Sequence, residues 1–206
     1  VGIRTSVSLA RRLQDPLLEI LAMNPREIGL GHNLADVHQG MLNRQLDSVI
    51  GSCLAQIGLD PNRASLDLLS RLPGVERDMA RNVVEHRNKN GGFPNLQGLG
   101  SVTGVNDKRF SYLAGFLRID GGDEPLDATA VHPESYELAR NIATDQTVPV
   151  AELFGKSLRK VELDKFISTD VPRLRLLDVL QALSTAGKDS RGVLAAWSND
   201  GVKTID

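Results

Sequence analysis

The chain has 206 residues, 41% of them hydrophobic and 24% charged, and its 24 basic and 26 acidic side chains leave a net charge of −2. That length supports one large domain or two small ones with real cores, and the near balance of charge excludes coating of nucleic acid by bulk positive potential. A single cysteine excludes an internal disulfide, and no apolar run approaches the ~20 residues that span a bilayer.

Helical periodicity dominates from the start. Val7, Leu9, Ala10, Leu13, Leu17, Leu18 and Leu21 form an apolar stripe that Asp15-Pro16 breaks or restarts. Asn24-Pro25 closes this element, and Arg26 to Asn33 is a glycine-punctuated connector. From Ala35 to Gly58, apolar residues recur at helical steps: Val37, Met41, Leu42, Leu46, Val49, Ile50, Cys53, Leu54 and Ile57. This predicts a long amphipathic helix with Gly58 as its stop. Cys53 lies in that stripe, which predicts a buried thiol in a reducing, intracellular compartment: cytoplasm or nucleoid in a bacterium, nucleus or organelle in a eukaryote.

A tandem repeat follows. Setting Gly74 on Gly104 aligns Leu66 with Leu96, Leu69 with Leu99, Leu72 with Val102, Val75 with Val105 and Val83 with Leu113. Each copy reads as an apolar helix, a Gly-Val corner and a second helix. Asn88 to Leu96 is a glycine turn that should fold Phe93 back into the core. Ala80 and Ala114 allow the helices to approach closely. Beyond Ile119 a loop-rich stretch leads to a helix at Pro133 to Ala143, where Pro133 suits the first turn and Glu134 the positive helix end. Two more helices are predicted at Val148 to Leu153 and Arg173 to Thr185, ahead of a weakly periodic tail. Strand signals are nearly absent. The fold class is all-α, a tandem helix-hairpin-helix core flanked by additional helices.

Such a corner frees backbone N–H groups at the start of its second helix, and those amides together with the helix dipole favour a phosphate oxygen. A nearby lysine or arginine adds charge without reading sequence. Both copies keep the glycine and the valine plug, as Gly74-Val75 and Gly104-Val105. Both lack a second glycine, which is replaced by Glu76 and by Asn106. Glu76 and Asp78 put negative charge where a phosphate would sit. Asn106 is milder, and Lys108-Arg109 follow it. The candidate nucleic-acid-binding residues are therefore Gly104, Val105, Asn106, Lys108 and Arg109, with Gly74, Val75, Arg77 and Arg81 at the first corner. The second corner is the better phosphate site, and the first is structural.

Enzymatic and metal chemistry lack their signatures. His32 and His38 flank Asp36 without paired cysteines, and Asp120, Asp123 and Glu124 lack calcium-loop spacing. His132 has no serine or cysteine nucleophile motif beside it and should hydrogen-bond a neighbouring loop. "GLGSVTG" lacks the Gly-Lys-Ser/Thr ending of a nucleotide loop. No cofactor, metal or catalytic residue is expected.

The order of "SVSLARRLQDPLLEI", "IGLGHNLADV", the paired hairpins ending "AGFLRI", and "PLDATAVHPESY" resembles the central region of the Tex family of transcription accessory proteins, from about Ser6 to Gly192. The resemblance implies a larger parent with an RNase H-like domain before this region and a C-terminal OB-fold RNA-binding domain after it. That OB fold carries much of the family's nucleic-acid affinity, so weak binding is implied for this piece alone. Where the family has proline, glycine and proline, this chain has Thr103, Asn106 and Asp107; Lys108 retains the lysine. "KDSRG" stands where the family tends to have a basic-Asp-Pro-Arg stretch. The chain opens at Val1 without methionine and stops in a polar stretch, so a piece of something longer is expected.

The expected organisation is residues 1–58 as a helical exit from the RNase H-like domain, 59–119 as the tandem hairpin domain, and 120–206 as a helical extension preceding the OB fold. Two functions are open. One is weak, sequence-independent contact with RNA or DNA backbone. The other is a scaffold between domains or for transcription machinery or another large assembly. No membrane partner is expected.

Overall fold

Asp15 decides the first feature of the structure, a computed structural model that describes residues 2–24, 36–155, 162–168 and 171–187. Helix α1 (Gly2–Gln14) stops there, and the Asp15 carboxylate accepts from Leu18 N at 3.1 Å to cap α2 (Pro16–Ala22), with Pro16 in its first turn. Helix α3 (Gln39–Ile57) begins where the His38 ring accepts from Met41 N, and it ends at Gly58, whose φ of +76° is left-handed. A Cβ on Gly58 would also lie 2.3 Å from Cγ of Arg118, so glycine is needed there twice over. The connector with His32, and the tail beyond Gly187, lie outside the described residues.

The apolar stripes of α1 and α3 are covered only in part. Leu17, Leu18 and Leu21 of α2 join the core, whereas Val7, Leu9 and Leu13 of α1 stay exposed. In α3, Ile50 and Leu54 are buried but Met41 and Val49 are exposed. Cys53 is half-buried against the core rather than sealed inside it. Periodicity names the apolar face of a helix but not how far its neighbours reach along it.

The repeat forms the centre. Helix α4 (Leu66–Leu69) is a single turn capped by Ser65, and α5 (Arg77–Asn90) follows the first corner. In the second copy the first helix is a 3-10 segment, Leu96–Ser101, capped by Asn95, followed by α6 (Asp107–Ala114). Gly98 and Gly100 sit inside that segment, and glycine weakens an α-helix by about 1 kcal/mol, so the tighter, shorter form replaces the predicted helix. Between the copies Gly91 and Gly92 take φ of +84° and +99°, and Asn62 brackets the Phe93 backbone through N–H and C=O at 2.7 and 3.0 Å. Phe93 is buried as expected, and His86 stacks on it at 5.0 Å. Ala80 and Ala114 are buried. The ends of the pair are tied by an isolated bridge between Leu59 and Leu117, and no strand occurs among the described residues.

A second core lies beyond the hairpins. It is built from Leu126, α7 (Tyr136–Asp145), the 3-10 turn Val150–Leu153 and α8 (Arg173–Thr185). Asp127 joins the two cores. The residue is 2% exposed, and its carboxylate accepts from Leu96 N and from the Tyr136 hydroxyl, both at 2.6 Å. Burial and that bond to a carboxylate hold the Tyr136 phenol far above its usual range. His132 completes the joint, bonding a helix rather than the expected loop: Nε2 donates to Ser111 O of α6 at 2.7 Å, and Nδ1 accepts from Glu134 N. The Ser111 hydroxyl donates to Glu134, and that bond with the nearby imidazole holds the glutamate below the usual carboxylate range.

Candidate nucleic-acid interface

Each corner is a left-handed glycine followed by a half-buried valine. Gly74 has φ of +77° and Gly104 +95°, and Val75 N and Val105 N close the turns onto Leu72 O and Val102 O at 3.1 and 3.0 Å. The glycines are therefore conformational requirements. The missing second glycines leave no strain, because Glu76 and Asn106 occupy extended backbone, at φ of −78° and −108°. They are helix N-caps.

The caps differ chemically. Asn106 Oδ1 accepts from Arg109 N at 2.9 Å, so one first-turn amide of α6 is already used. Glu76 makes no side-chain cap hydrogen bond, and its carboxylate stands exposed at the start of α5. Around Gly104 a Cβ would find no described atom within 4 Å, so the backbone there is open to close approach.

The structure brings the two corners together. Arg109 donates to Gly104 O at 3.0 Å and pairs with Glu76 of the other corner at 3.8 Å. The remaining candidate arginines are engaged near the first corner, Arg77 with Asp67 at 3.3 Å and Arg81 with Asp78 at 3.0 Å. Lys108 is exposed and has no ion-pair partner among the described residues. Around the corners the four basic side chains Arg77, Arg81, Lys108 and Arg109 are matched in number by the four acidic ones Asp67, Glu76, Asp78 and Asp107. The local charge sums to zero. Of these four, Lys108 alone makes no ion pair with a described residue.

Two residues at this junction escaped the sequence reading. Asn82 of α5 donates to Thr103 O at 2.9 Å and so braces the second corner. Its counterpart one repeat later is Tyr112 of α6, whose ring stands 3.5 Å from where a Cβ on Gly74 would be. The repeat pairs these positions, and that alignment was the available signal.

No helix among the described residues is long and apolar enough to cross a membrane. Among them no cluster of three His, Cys, Asp or Glu side chains is placed to hold a metal ion, and His38 serves as the α3 cap.

The helix-hairpin-helix motif family matches residues 55–118, and a family described as HHH domain matches residues 124–191. The second match falls within the region expected as a helical extension. The transcriptional accessory protein Tex of Neisseria gonorrhoeae is 40% identical over 200 residues, covering 96% of this chain and 26% of that protein. The chain is Tex-like. Protein YhgF of Escherichia coli (strain K12) is also 40% identical, over 209 residues that cover 100% of the Tex-like chain and 27% of YhgF. S1 RNA-binding domain-containing protein 1 of Homo sapiens is 30% identical over 217 residues, covering 82% of this chain and 22% of that protein. The Tex-like chain thus spans about a quarter of the length of the curated relatives it matches.

Proposed function

We propose that the Tex-like chain is a non-enzymatic, nucleic-acid-associated helical module that contacts RNA or DNA backbone weakly and without reading sequence, as part of a transcription accessory protein. The observation that carries this is the second corner: an open left-handed Gly104 beside the start of α6, with Lys108 unpaired among the described residues and Arg109 bonded to Gly104 O. Gly104, Val105, Asn106, Lys108 and Arg109 form the main contact, with Gly74, Val75, Arg77 and Arg81 of the first corner as the lesser one. The names of the relatives, transcriptional accessory protein and S1 RNA-binding domain-containing protein, support the same direction. Weak binding follows from the balanced charge, because phosphate contacts through cations dominate such affinity.

Fluorescence anisotropy with short DNA and RNA at two salt concentrations tests the reading. Affinity should fall with salt, and Lys108→Glu with Arg109→Glu should lower the log–log slope by about 1.5, since each lost phosphate contact removes about 0.7–0.9. Circular dichroism checks that the double variant still folds, because Arg109 also holds Gly104 O. A salt-independent affinity, or one that survives the double variant, overturns it.

A second reading, a scaffold between domains or for transcription machinery, is favoured by the paired arginines and by the exposed apolar face of α1, where Ile3 is 84% exposed. Capture of purified polymerase or another assembly component by a chain that binds no nucleic acid would establish it instead.

A further inference from the structure

Tyr112 breaks the symmetry of the repeat. At the equivalent position Asn82 spends its amide on a backbone carbonyl, whereas Tyr112 is 55% exposed and its hydroxyl makes no hydrogen bond among the described residues. The ring is nevertheless held in place. Its edge lies along Gly74, and Phe116 supports it with centroids 5.5 Å apart at 54°.

Its position relates to both corners. Lys108 and Arg109 precede Tyr112 by four and three residues on α6, so all three share one helix face, with Lys108 about 6 Å away along the axis. On the other side of Gly74 an open groove runs to α3, lined by Pro73, Phe116, Ser48, Arg44, Arg71 and a single acid, Asp47. One Arg71 N–H is used on Met23 O. A helix start bearing Lys108 and Arg109, a braced aromatic ring and a hydroxyl- and guanidinium-lined groove therefore lie on this part of the surface.

We infer that Tyr112 is a stacking platform for an unpaired base, and that the hairpin pair takes a single strand whose backbone runs from Lys108 and Arg109 toward the α3 groove. This rests on the nucleic-acid reading above and narrows its ligand to single-stranded nucleic acid. Stacking on an exposed aromatic ring is tolerant of sequence, because every base has a π-face. A duplex keeps its bases inside and cannot use the ring.

The test separates a stacking ring from one that only covers Gly74. In the full chain, Tyr112→Leu keeps apolar cover but removes the π-face, and Tyr112→Phe keeps both. Anisotropy with a short fluorescein-labelled oligothymidylate should show about tenfold weaker binding for Tyr112→Leu and wild-type binding for Tyr112→Phe. Affinity for a duplex of the same length should be unchanged in either variant. A strand containing 2-aminopurine should lose emission on binding wild type and Tyr112→Phe, and keep it with Tyr112→Leu. If Tyr112→Leu binds the single strand like wild type, or weakens single strand and duplex alike, the inference fails. Unaltered 2-aminopurine emission on binding wild type also overturns it. Salt-dependent duplex binding lost in the Lys108→Glu and Arg109→Glu variant, with no single-strand binding, would sink this inference and leave the broader reading intact. Absence of binding to any oligonucleotide sinks both.

Discussion

The two hairpins share a backbone and differ in what surrounds it. Gly74 sits beneath the Tyr112 ring and opens onto an uncapped, acidic helix start with Arg77 and Arg81 paired to carboxylates. Among the described residues Gly104 is uncovered and Lys108 unpaired; its helix is capped by Asn106, and this copy is bolted to the second core through Asp127. Duplication supplied one corner shape twice. Side chains then gave one corner a covering ring and an acidic cap and left the other without a cover among the described residues.

The bolt offers the largest effect. Asp127→Ala strands Leu96 N and the Tyr136 hydroxyl in a buried site, which should cost about 3 kcal/mol or more in chemical denaturation. Tyr136→Phe removes one donor and should cost about 2 kcal/mol. A pH arm confirms the cause. The folded phenol is held above its usual range, so above the unfolded tyrosine value of about 10 the unfolded chain loses a proton that the folded chain keeps. Stability should therefore fall as pH rises beyond that point, and the fall should be shallower in Tyr136→Phe. Matching alkaline slopes in the two proteins would dissociate the phenol from the joint.

The corner glycines come next. Gly74→Ala and Gly104→Ala each force a side chain into left-handed backbone, about 1–2 kcal/mol apiece. A new Cβ meets the Tyr112 ring at an ordinary 3.5 Å in the first case and no described atom in the second, so the two stability losses should match. Binding should not match. Gly104→Ala places a methyl where a phosphate backbone approaches, whereas Gly74→Ala leaves that approach clear. Equal binding losses in anisotropy would show that the corners are not divided as described.

Much of this was readable from residues alone. The left-handed glycines, the Asp15-Pro16 break and the Arg173–Thr185 helix follow from local rules, because φ, capping and proline geometry are set within a few residues. The exposed stripe of α1 and the half-covered α3 were not, since coverage depends on elements distant in sequence. The site shows the same limit. Gly104 and Lys108 announce themselves by type and spacing, but the pairing of Arg109 with Glu76 joins residues from different copies. Asp127 looks like an ordinary loop acid until Leu96 and Tyr136 are seen to converge on it.

The caps provide the smallest and most discriminating test. Asn106→Ala removes the acceptor for Arg109 N and should cost about 1 kcal/mol. Glu76→Ser should act in the opposite direction, because serine supplies the cap hydrogen bond that Glu76 does not make. Against that gain stands the Glu76–Arg109 pair, exposed and 3.8 Å long, worth at most about 1 kcal/mol and usually less. Glutamate near a helix N-terminus also interacts favourably with the dipole, by about 0.3–1 kcal/mol, so the net gain should be a few tenths. The same substitution removes the acid nearest the first phosphate position and frees Arg109. If the acidic side chain is what separates the two corners, Glu76→Ser should tighten binding while barely moving the denaturation midpoint. A variant that gains no affinity would place the difference between the corners in the covering ring of Tyr112 rather than in charge.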